Sequence, residues 1–353
     1  MSEHQQFPAV QAVVIGAGPV GLAAAAHLVE RGITPVVLEA GSAPGAAIRQ
    51  WGHVRLFSPW RFNIDAAARR LLTANGWTEP EPAHLPTGDE LVDHYLEPLA
   101  EVPDLAPHIQ FGTRVIAVSR LGVDKTRTLG RDGREYVVRT RTTAGEYRDV
   151  TAKAVIDASG TWGHANPLGA HGLEAPGEAD SASYLAGALP DVLGTDRERF
   201  AGKHALVVGM GHSAANTLLS LSDLTAAEPD TRITWVVRGA SAARLYGGGD
   251  ADALPARGKL GTRVKRLVDD GKLALITGFT IDRLEPSATG PLTVVGHSGE
   301  EAVKLDVDVV VAATGFRPDL DMLREVRLDL DPVVEAPSAL APLIDPNQHS
   351  CGT

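Results

Sequence analysis

The sequence predicts an α/β fold with two three-layer units and a small antiparallel β meander, and three observations carry that expectation. First, a short apolar run, a glycine-rich turn, an alanine-rich helical stretch and a second apolar run follow one another from Val10 to Ala40. Second, the same grammar returns from His204 to Gly239. Buried parallel strands are continuous apolar runs rather than alternating ones, so each stretch reads as strand–turn–helix–strand. Third, residues 111–153 are different. Arg114–Val118, Tyr136–Thr140 and Tyr147–Val150 are β-rich pieces divided by the turn signals Asp132-Gly133 and Ala144-Gly145. The first two observations predict Rossmann-like dinucleotide-binding units; the third predicts the meander.

In chain order, Val13-Val14-Ile15 leads into Gly16-Ala17-Gly18-Pro19-Val20-Gly21, a G-x-G-x-x-G turn after a strand. The helical run Leu22 to Glu30 follows, and Glu39 ends the next strand, 18 residues beyond Gly21. Gly16 permits the sharp turn, Gly18 lets the backbone approach a pyrophosphate, and Gly21 lets helix and strand pack closely. The helix start, with Pro19 at its head, offers N–H groups and partial positive charge to phosphates. Glu39 is placed to accept from ribose hydroxyls.

After the meander, Ala154 to Gly160 reads as one more buried strand ending in a tight turn. Residues 165–200, rich in Gly, Pro and Ala, read as a connection. The second turn, Gly209-Met210-Gly211-His212-Ser213-Ala214, is G-x-G-x-x-A, with Ala214 in place of the third glycine. Ser213 is a helix-start residue that also donates to phosphate. His212 is either a phosphate donor or a helix-start polar group with no chemical role. The next strand, Ile233 to Val237, ends in Arg238 rather than an acid, and Arg244 follows. A carboxylate there would repel a 2′-phosphate, whereas guanidinium groups pair with it through charged, fork-like hydrogen bonds. That favours NADPH over NADH, with an ordinary strand-end charge as the alternative for Arg238. A late apolar run, Val307 to Gly315, reads as parallel, and prolines 332, 337, 342 and 346 argue against regular structure over 332–346.

Composition bounds the function. A chain of 353 residues corresponds to roughly two domains. Its net charge of −11 argues against nucleic acid and anionic membrane as partners. The single cysteine, Cys351, excludes an internal disulfide framework or a C-x-x-C redox pair. His349 beside it lacks further ligands at metal spacing, so no metal site is expected. The start, Met1 to Gln6, lacks the basic and apolar regions of a signal peptide, and a soluble cytoplasmic protein is expected. Oligomeric state stays open, a homodimer included.

Two dinucleotide pockets in one chain need a purpose. Two nicotinamides would have nothing to exchange. FAD in the first and NADPH in the second allow hydride to pass from nicotinamide to isoalloxazine. The ordered set Gly16–Gly21 with Glu39, Asp157-Ala158-Ser159-Gly160-Thr161-Trp162, Gly209–Ala214 and Ala312-Ala313-Thr314-Gly315-Phe316-Arg317-Pro318-Asp319 resembles the two-dinucleotide-binding-domain flavoproteins. The nearest branch looks like the flavin-containing monooxygenases, with thioredoxin-reductase-like enzymes as cousins. Arg55-Leu56-Phe57-Ser58-Pro59-Trp60 and Leu340 to Thr353 look like bacterial flavoproteins associated with arsenic resistance, which makes a trivalent arsenical one candidate substrate.

The resemblance implies an FAD domain of residues 1–165 and 305–353, with an NADPH domain of residues 166–304 inserted into it. It implies that Ser159-Gly160 and Thr314-Gly315 are the crossings between them, and that the strand at Arg114-Val115 gives backbone contacts, through Val115, to the FAD adenine. It also implies a strand and helix after the second crossing that close over the flavin, and none is readable before Thr353. The thioredoxin-reductase cysteine pair is absent.

The segment Arg49 to Arg61 follows the Glu39 strand and, by the same resemblance, passes along the phosphates and ring. Arg49 and Arg55 are candidates for the pyrophosphate. Ser58 and Trp60 are candidates for the ring border, with core packing the alternative for Trp60. After the first crossing, His164 and Asn166 are candidates for the reacting region, with a plain linker as the alternative. Three readings remain: a monooxygenase that uses O2 to oxygenate a small soft nucleophile (N, S or trivalent As) through a hydroperoxyflavin, an NADPH-driven flavin reductase or oxidase with an external acceptor, and a non-catalytic nucleotide-binding or redox-sensing flavoprotein.

Overall fold

The computed structural model describes residues 10–246 and 254–345. The expectations attached to Met1–Gln6, to His349 and Cys351, and to the end of the Leu340–Thr353 stretch lie outside the described residues. The described chain forms two compact units, residues 10–163 with 318–345 and residues 164–317.

The first unit opens with β1 (Val10–Ile15), α1 (Pro19–Glu30) and β2 (Pro35–Leu38). Helical turns α2 (Ala46–Arg49) and α3 (Trp60–Asn63) precede α4 (Ala66–Ala74), which Asp65 caps by accepting from the Ala67 and Ala68 N–H groups. α5 (Gly88–Leu91) starts at a capping box in which Thr87 and Glu90 bond each other's backbone N–H. A π-helical turn, Val92–Leu96, joins it to α6 (Glu97–Glu101). Strands β3 (Ile109–Gln110), β4 (Thr113–Arg120), β5 (Tyr136–Thr142) and β6 (Tyr147–Asp157) complete a six-stranded sheet of order β3-β2-β1-β6-β5-β4.

Successive β1 side chains point to opposite faces. Val14 joins a core with α1, α4 and the 88–105 helices; Val13 and Ile15 join a second core with Val115, Val118 and Val138. One face of the parallel strands is therefore covered by helices and the other by the antiparallel strands. Met322 and Leu323, from a 3-10 turn near the chain's end, pack into that second core.

In the second unit, β7 (Leu185–Ala186) and the turn α7 (Arg197–Phe200) precede β8 (His204–Val208), α8 (His212–Ala227) and β9 (Arg232–Val236). Then come α9 (Ala243–Tyr246), α10 (Pro255–Asp269), β10 (Ala274–Ile276), the antiparallel β11 (Phe279–Glu285), β12 (Leu292–Ser298) and β13 (Glu301–Val307), and β14 (Val309–Ala312). The parallel sheet has the order β10-β9-β8-β14-β7. Its Val207 face packs on α8 and α10; its Leu206 face packs on Phe279, Ile281, Leu292 and Val294 of the three-stranded sheet. The chain then returns to the first unit, where β15 (Leu330–Asp331) pairs with β16 (Ala336–Pro337), and α11 (Ala341–Ile344) follows.

Four differences from expectation follow from pairing that no local pattern encodes. The meander and the Ala154–Gly160 strand are one element: β6 pairs antiparallel with β5 up to Ala152 and parallel with β1 from there on. Residues 305–317, expected in the first unit, belong to the second, because β14 lies beside β8. Residues 279–307 form a second antiparallel sheet that was not anticipated. One strand of a short hairpin, β16, and the helical turn α11 stand in the proline-rich 332–346 stretch.

Candidate functional site

In the first unit the glycine turn is built by close approach. Gly16 has φ +99°, and a Cβ there would lie 2.6 Å from the Ala158 carbonyl oxygen at the end of β6. Its N–H donates to Leu38 O at 2.8 Å. At Gly21 a Cβ would meet Gly16 O at 2.0 Å, so helix and turn touch backbone to backbone. At Gly18, the N-cap of α1, a Cβ would meet nothing within 4 Å. The cradle is thus tight where the fold needs it and open where a pyrophosphate would lie. Pro19 occupies the first helical position.

Glu39 is half-buried, and both carboxylate oxygens are in use. Oε2 accepts from Ala17 N–H at 2.7 Å and Oε1 from Gly41 N–H at 2.6 Å. Each oxygen retains acceptor capacity for a ribose hydroxyl. At the β6 end, Ser159 N–H donates to Asp157 Oδ1, and Gly160 takes φ +72°. Val115 is buried in the core of β4, the outermost strand, and the register shifts just beyond it.

The Arg49–Arg61 segment has other partners. Arg49 bonds Asp93, Asp89 at 3.0 Å and Glu97 at 2.9 Å. Those carboxylates, Asp93 first, raise the guanidinium pKa above its usual range. Arg55 donates to Leu85 O and lies 3.7 Å from Glu90. Ser58 Oγ donates to Asn63 Oδ1 at 2.7 Å while Asn63 Nδ2 donates back to Ser58 O, a closed pair around α3. Trp60 is 1% exposed, inside the helical core. The structure gives Trp60 the packing role and leaves its indole no face toward a ligand. Nearby, Trp162 Nε1 donates to Gln50 Oε1, and its ring lies 6.3 Å from that of Trp51.

The second unit repeats the turn. Gly209 has φ +124°, and a Cβ there would lie 2.0 Å from Ala313 O. At Gly211, the N-cap of α8, a Cβ would meet nothing within 4 Å. Ala214 is fully buried where the first turn has Gly21. His212 is the first residue of α8, and its carbonyl accepts from Asn216 Nδ2. Gly209, Gly211 and His212 open onto a cavity of about 850 Å³. His212, Ser213, Arg238, Arg244 and Arg257 line it, with Leu168, Phe279 and Ile281 as apolar wall. Among the described residues that line it there is no Asp or Glu. A cavity of this size, with a helix start and three guanidinium groups, suits a polyanionic nucleotide.

Asn166 also borders this cavity, tied to the returning chain. Its N–H donates to Gly315 O, its Nδ2 to Thr314 O at 3.1 Å, and Thr314 Oγ1 donates to Asn166 O at 2.5 Å. His164 is exposed, and its carbonyl accepts from Arg317 N–H. Arg257, Trp235 and the β11 wall went unrecognised in the sequence. An arginine in a helical run and a tryptophan in a strand carry no spacing signal.

Among the described residues, no group of three or more His, Cys, Asp or Glu side chains is placed to hold a metal, and no helix is long and apolar enough to cross a membrane.

A family model described as pyridine nucleotide-disulphide oxidoreductase matches residues 13–350. The chain is similar to the solved structure of a bacillithiol disulfide reductase from Bacillus cereus, at 20% identity and TM-score 0.69, covering 92% of this chain and 83% of that one. It is similar to a desferrioxamine-pathway cadaverine monooxygenase from Erwinia amylovora, solved with FAD, at 15% identity and TM-score 0.66, covering 92% and 83%. It is also similar to a mutant flavin monooxygenase from Stenotrophomonas maltophilia, at 25% identity and TM-score 0.61, covering 94% and 85%. No curated protein matches the chain.

Proposed function

The chain belongs to the pyridine nucleotide-disulphide oxidoreductase family, and from that premise we propose that it is an FAD- and NADPH-dependent monooxygenase acting on a small soft nucleophile. The observation that carries this reading is the pair of matching cradles. Each has a strained first glycine pressed on a neighbouring strand end and a second glycine open to ligand. Similarity to flavin monooxygenases supports the reaction class.

FAD is assigned to the first unit, with Gly16, Gly18, Pro19 and Gly21 at its pyrophosphate and Glu39 at its ribose. NADPH is assigned to the second, with Gly209, Gly211, His212 and Ser213 at the pyrophosphate and Arg238 and Arg244 at the 2′-phosphate. When bound, the flavin supplies two-electron chemistry and reaction with O2. Overall, NADPH, a proton, O2 and substrate give NADP⁺, water and the oxygenated substrate. The chain's own residues bind and orient. Glu39 holds its turn through Ala17 and Gly41, and the Asn166–Thr314 clamp joins outgoing to returning chain. Asn166 therefore acts as a brace, and Ser58 pairs with Asn63.

The test is anaerobic NADPH titration of FAD-supplemented protein, followed by air and a panel of amines, thiols, sulfides and a trivalent arsenical. Bleaching of the flavin band and an oxygenated product with one substrate support the reading. NADPH oxidation yielding only peroxide with every substrate refutes oxygenation. Similarity to disulfide reductases favours a second reading, electron delivery to an external acceptor. With Cys351 the only cysteine, no dithiol within one chain could relay the electrons. Faster reoxidation by an added disulfide or quinone than by O2 would select it.

A further inference from the structure

We propose that Glu178 is a positioning residue for the coenzyme cavity of the second unit: its carboxylate holds the loop 168–175, one wall of that cavity, in its binding shape before any ligand arrives. The inference rests on the coenzyme reading of the second unit and adds a residue outside the glycine turn and the strand that follows it. Leu168, Gly169, Ala170 and Gly172 line the cavity. Glu178 Oε1 accepts from Leu168 N–H at 2.9 Å, and Oε2 accepts from Ala175 N–H at 2.8 Å. Leu168 and Ala175 are both buried in the core that contains Leu206 and Phe279. A buried N–H needs a partner. One carboxylate supplies it at both ends of the loop, and a charged acceptor makes the stronger bond.

The chain is anchored on both sides of that bridge. Before it, Asn166 is tied to Thr314 and Gly315. After it, Leu284 N–H of β11 donates to Pro176 O at 2.8 Å, and a Cβ at Gly177 would lie 2.1 Å from Leu284 O. Between the anchors the loop is drawn tight. A Cβ at Gly169 would meet Leu173 O at 2.4 Å and Ala175 N at 2.6 Å. His171 takes φ +64°, in the left-handed region. A non-glycine residue keeps that conformation only where its surroundings over-determine it, and such residues gather at ligand clamps. This one sits between Ala170 and Gly172, which line the cavity. A wall set in advance spares the coenzyme the entropy of ordering it. Affinity therefore depends on Glu178, although its carboxylate bonds the loop and not the ligand.

The test is titration of the FAD-supplemented protein with NADPH and NADH, for the wild type, Glu178→Gln and Glu178→Ala, with thermal melts in the absence of coenzyme and amide exchange of the wild type. Loss of both bonds predicts about tenfold or greater weakening of coenzyme binding in Glu178→Ala. The four loop residues that line the cavity carry no charge, so NADPH and NADH should weaken by a similar factor. Glu178→Gln keeps one carbonyl acceptor but turns a donor toward the other N–H, so its loss should be smaller. In the wild type, the Leu168 and Ala175 amides should already exchange slowly before coenzyme is added. A lower melting temperature with unchanged affinity makes Glu178 merely structural and overturns the proposal, as does weakening of NADPH alone. Loop amides that become protected only when NADPH is added overturn it without any variant, because the coenzyme then sets the wall. These failures leave the coenzyme reading standing. A wild type that binds neither coenzyme overturns that reading itself, and this proposal with it.

Discussion

The indole Nε1 of Trp235 donates to the carbonyl oxygen of Gly209 at 2.7 Å. Trp235 is fully buried on β9, and Gly209 is the first glycine of the second cradle. The first unit solves the same problem differently, with Glu39 accepting from Ala17 N–H at 2.7 Å. In each unit a side chain on or just after the second parallel strand braces the glycine turn, once through a backbone acceptor and once through a donor.

Trp235→Phe keeps most of the packing and removes that bond. A lost neutral hydrogen bond lowers stability by about 0.5–1.5 kcal/mol. NADPH binding should weaken while FAD content is unchanged. Chemical denaturation and titration with each coenzyme check both.

Gly209 and Gly211 should separate fold from function. Gly209→Ala meets Ala313 O at 2.0 Å with φ +124°. Backbone strain alone should then cost roughly 1–3 kcal/mol. Gly211→Ala meets no protein atom within 4 Å. Its stability should stay within about 0.5 kcal/mol of wild type. The added methyl should still obstruct the pyrophosphate. Thermal melts with and without NADPH distinguish the two: only the Gly211 variant should melt normally and lose the NADPH-induced shift.

Glu39→Ala should release flavin. The substitution removes acceptors from the Ala17 and Gly41 N–H groups as well as the ribose contact. Bonds to charged groups contribute about 1.5–3 kcal/mol each. The flavin-to-protein absorbance ratio should fall, and adding FAD should restore it only at much higher concentration. Glu39→Gln, which keeps one carbonyl acceptor, should lose less.

Tyr95 should give the fold an alkaline limit. Its side chain is 1% exposed, and burial pushes the phenol up to about 12 from an ordinary 10.0. The folded state holds this proton more tightly than the unfolded state. The contribution is therefore complete below pH 10.0 and is lost as pH rises toward about 12. Two pKa units correspond to roughly 3 kcal/mol. Tyr95→Phe should flatten that part of the stability–pH curve. It should also lower the plateau, because Asp65 N–H loses its acceptor. Denaturation midpoints between pH 8 and 12 in both proteins measure the difference.

Much of the geometry of the two glycine turns was legible because its requirements are local. Gly16, Gly18, Gly21, Glu39, Gly209 and Gly211 answer to turn geometry and to the start of the next helix, and spacing reveals both. Arg49 reads locally as a cation beside a phosphate loop, yet three carboxylates from residues 89, 93 and 97 hold it. Trp60 reads equally as ring border or as core, and burial among α1, α4 and the 88–105 helices decides for core. Asn166 reads as a reacting group or as linker, and its bonds to Thr314 make it a clamp. Each outcome depended on a partner far away in the chain.

The sequence by itself determined the two strand–turn–helix units and the glycines that shape them, because steric limits on φ and continuous apolar runs act within a few residues. Tertiary structure decided that β6 serves both the meander and the parallel sheet, that β14 completes the second unit, that β11–β13 cover one face, and that Arg257 lines the same cavity as Arg238 and Arg244. Those results come from pairing and close packing between distant segments, whose energies depend on which surfaces meet and leave no periodic trace in the chain.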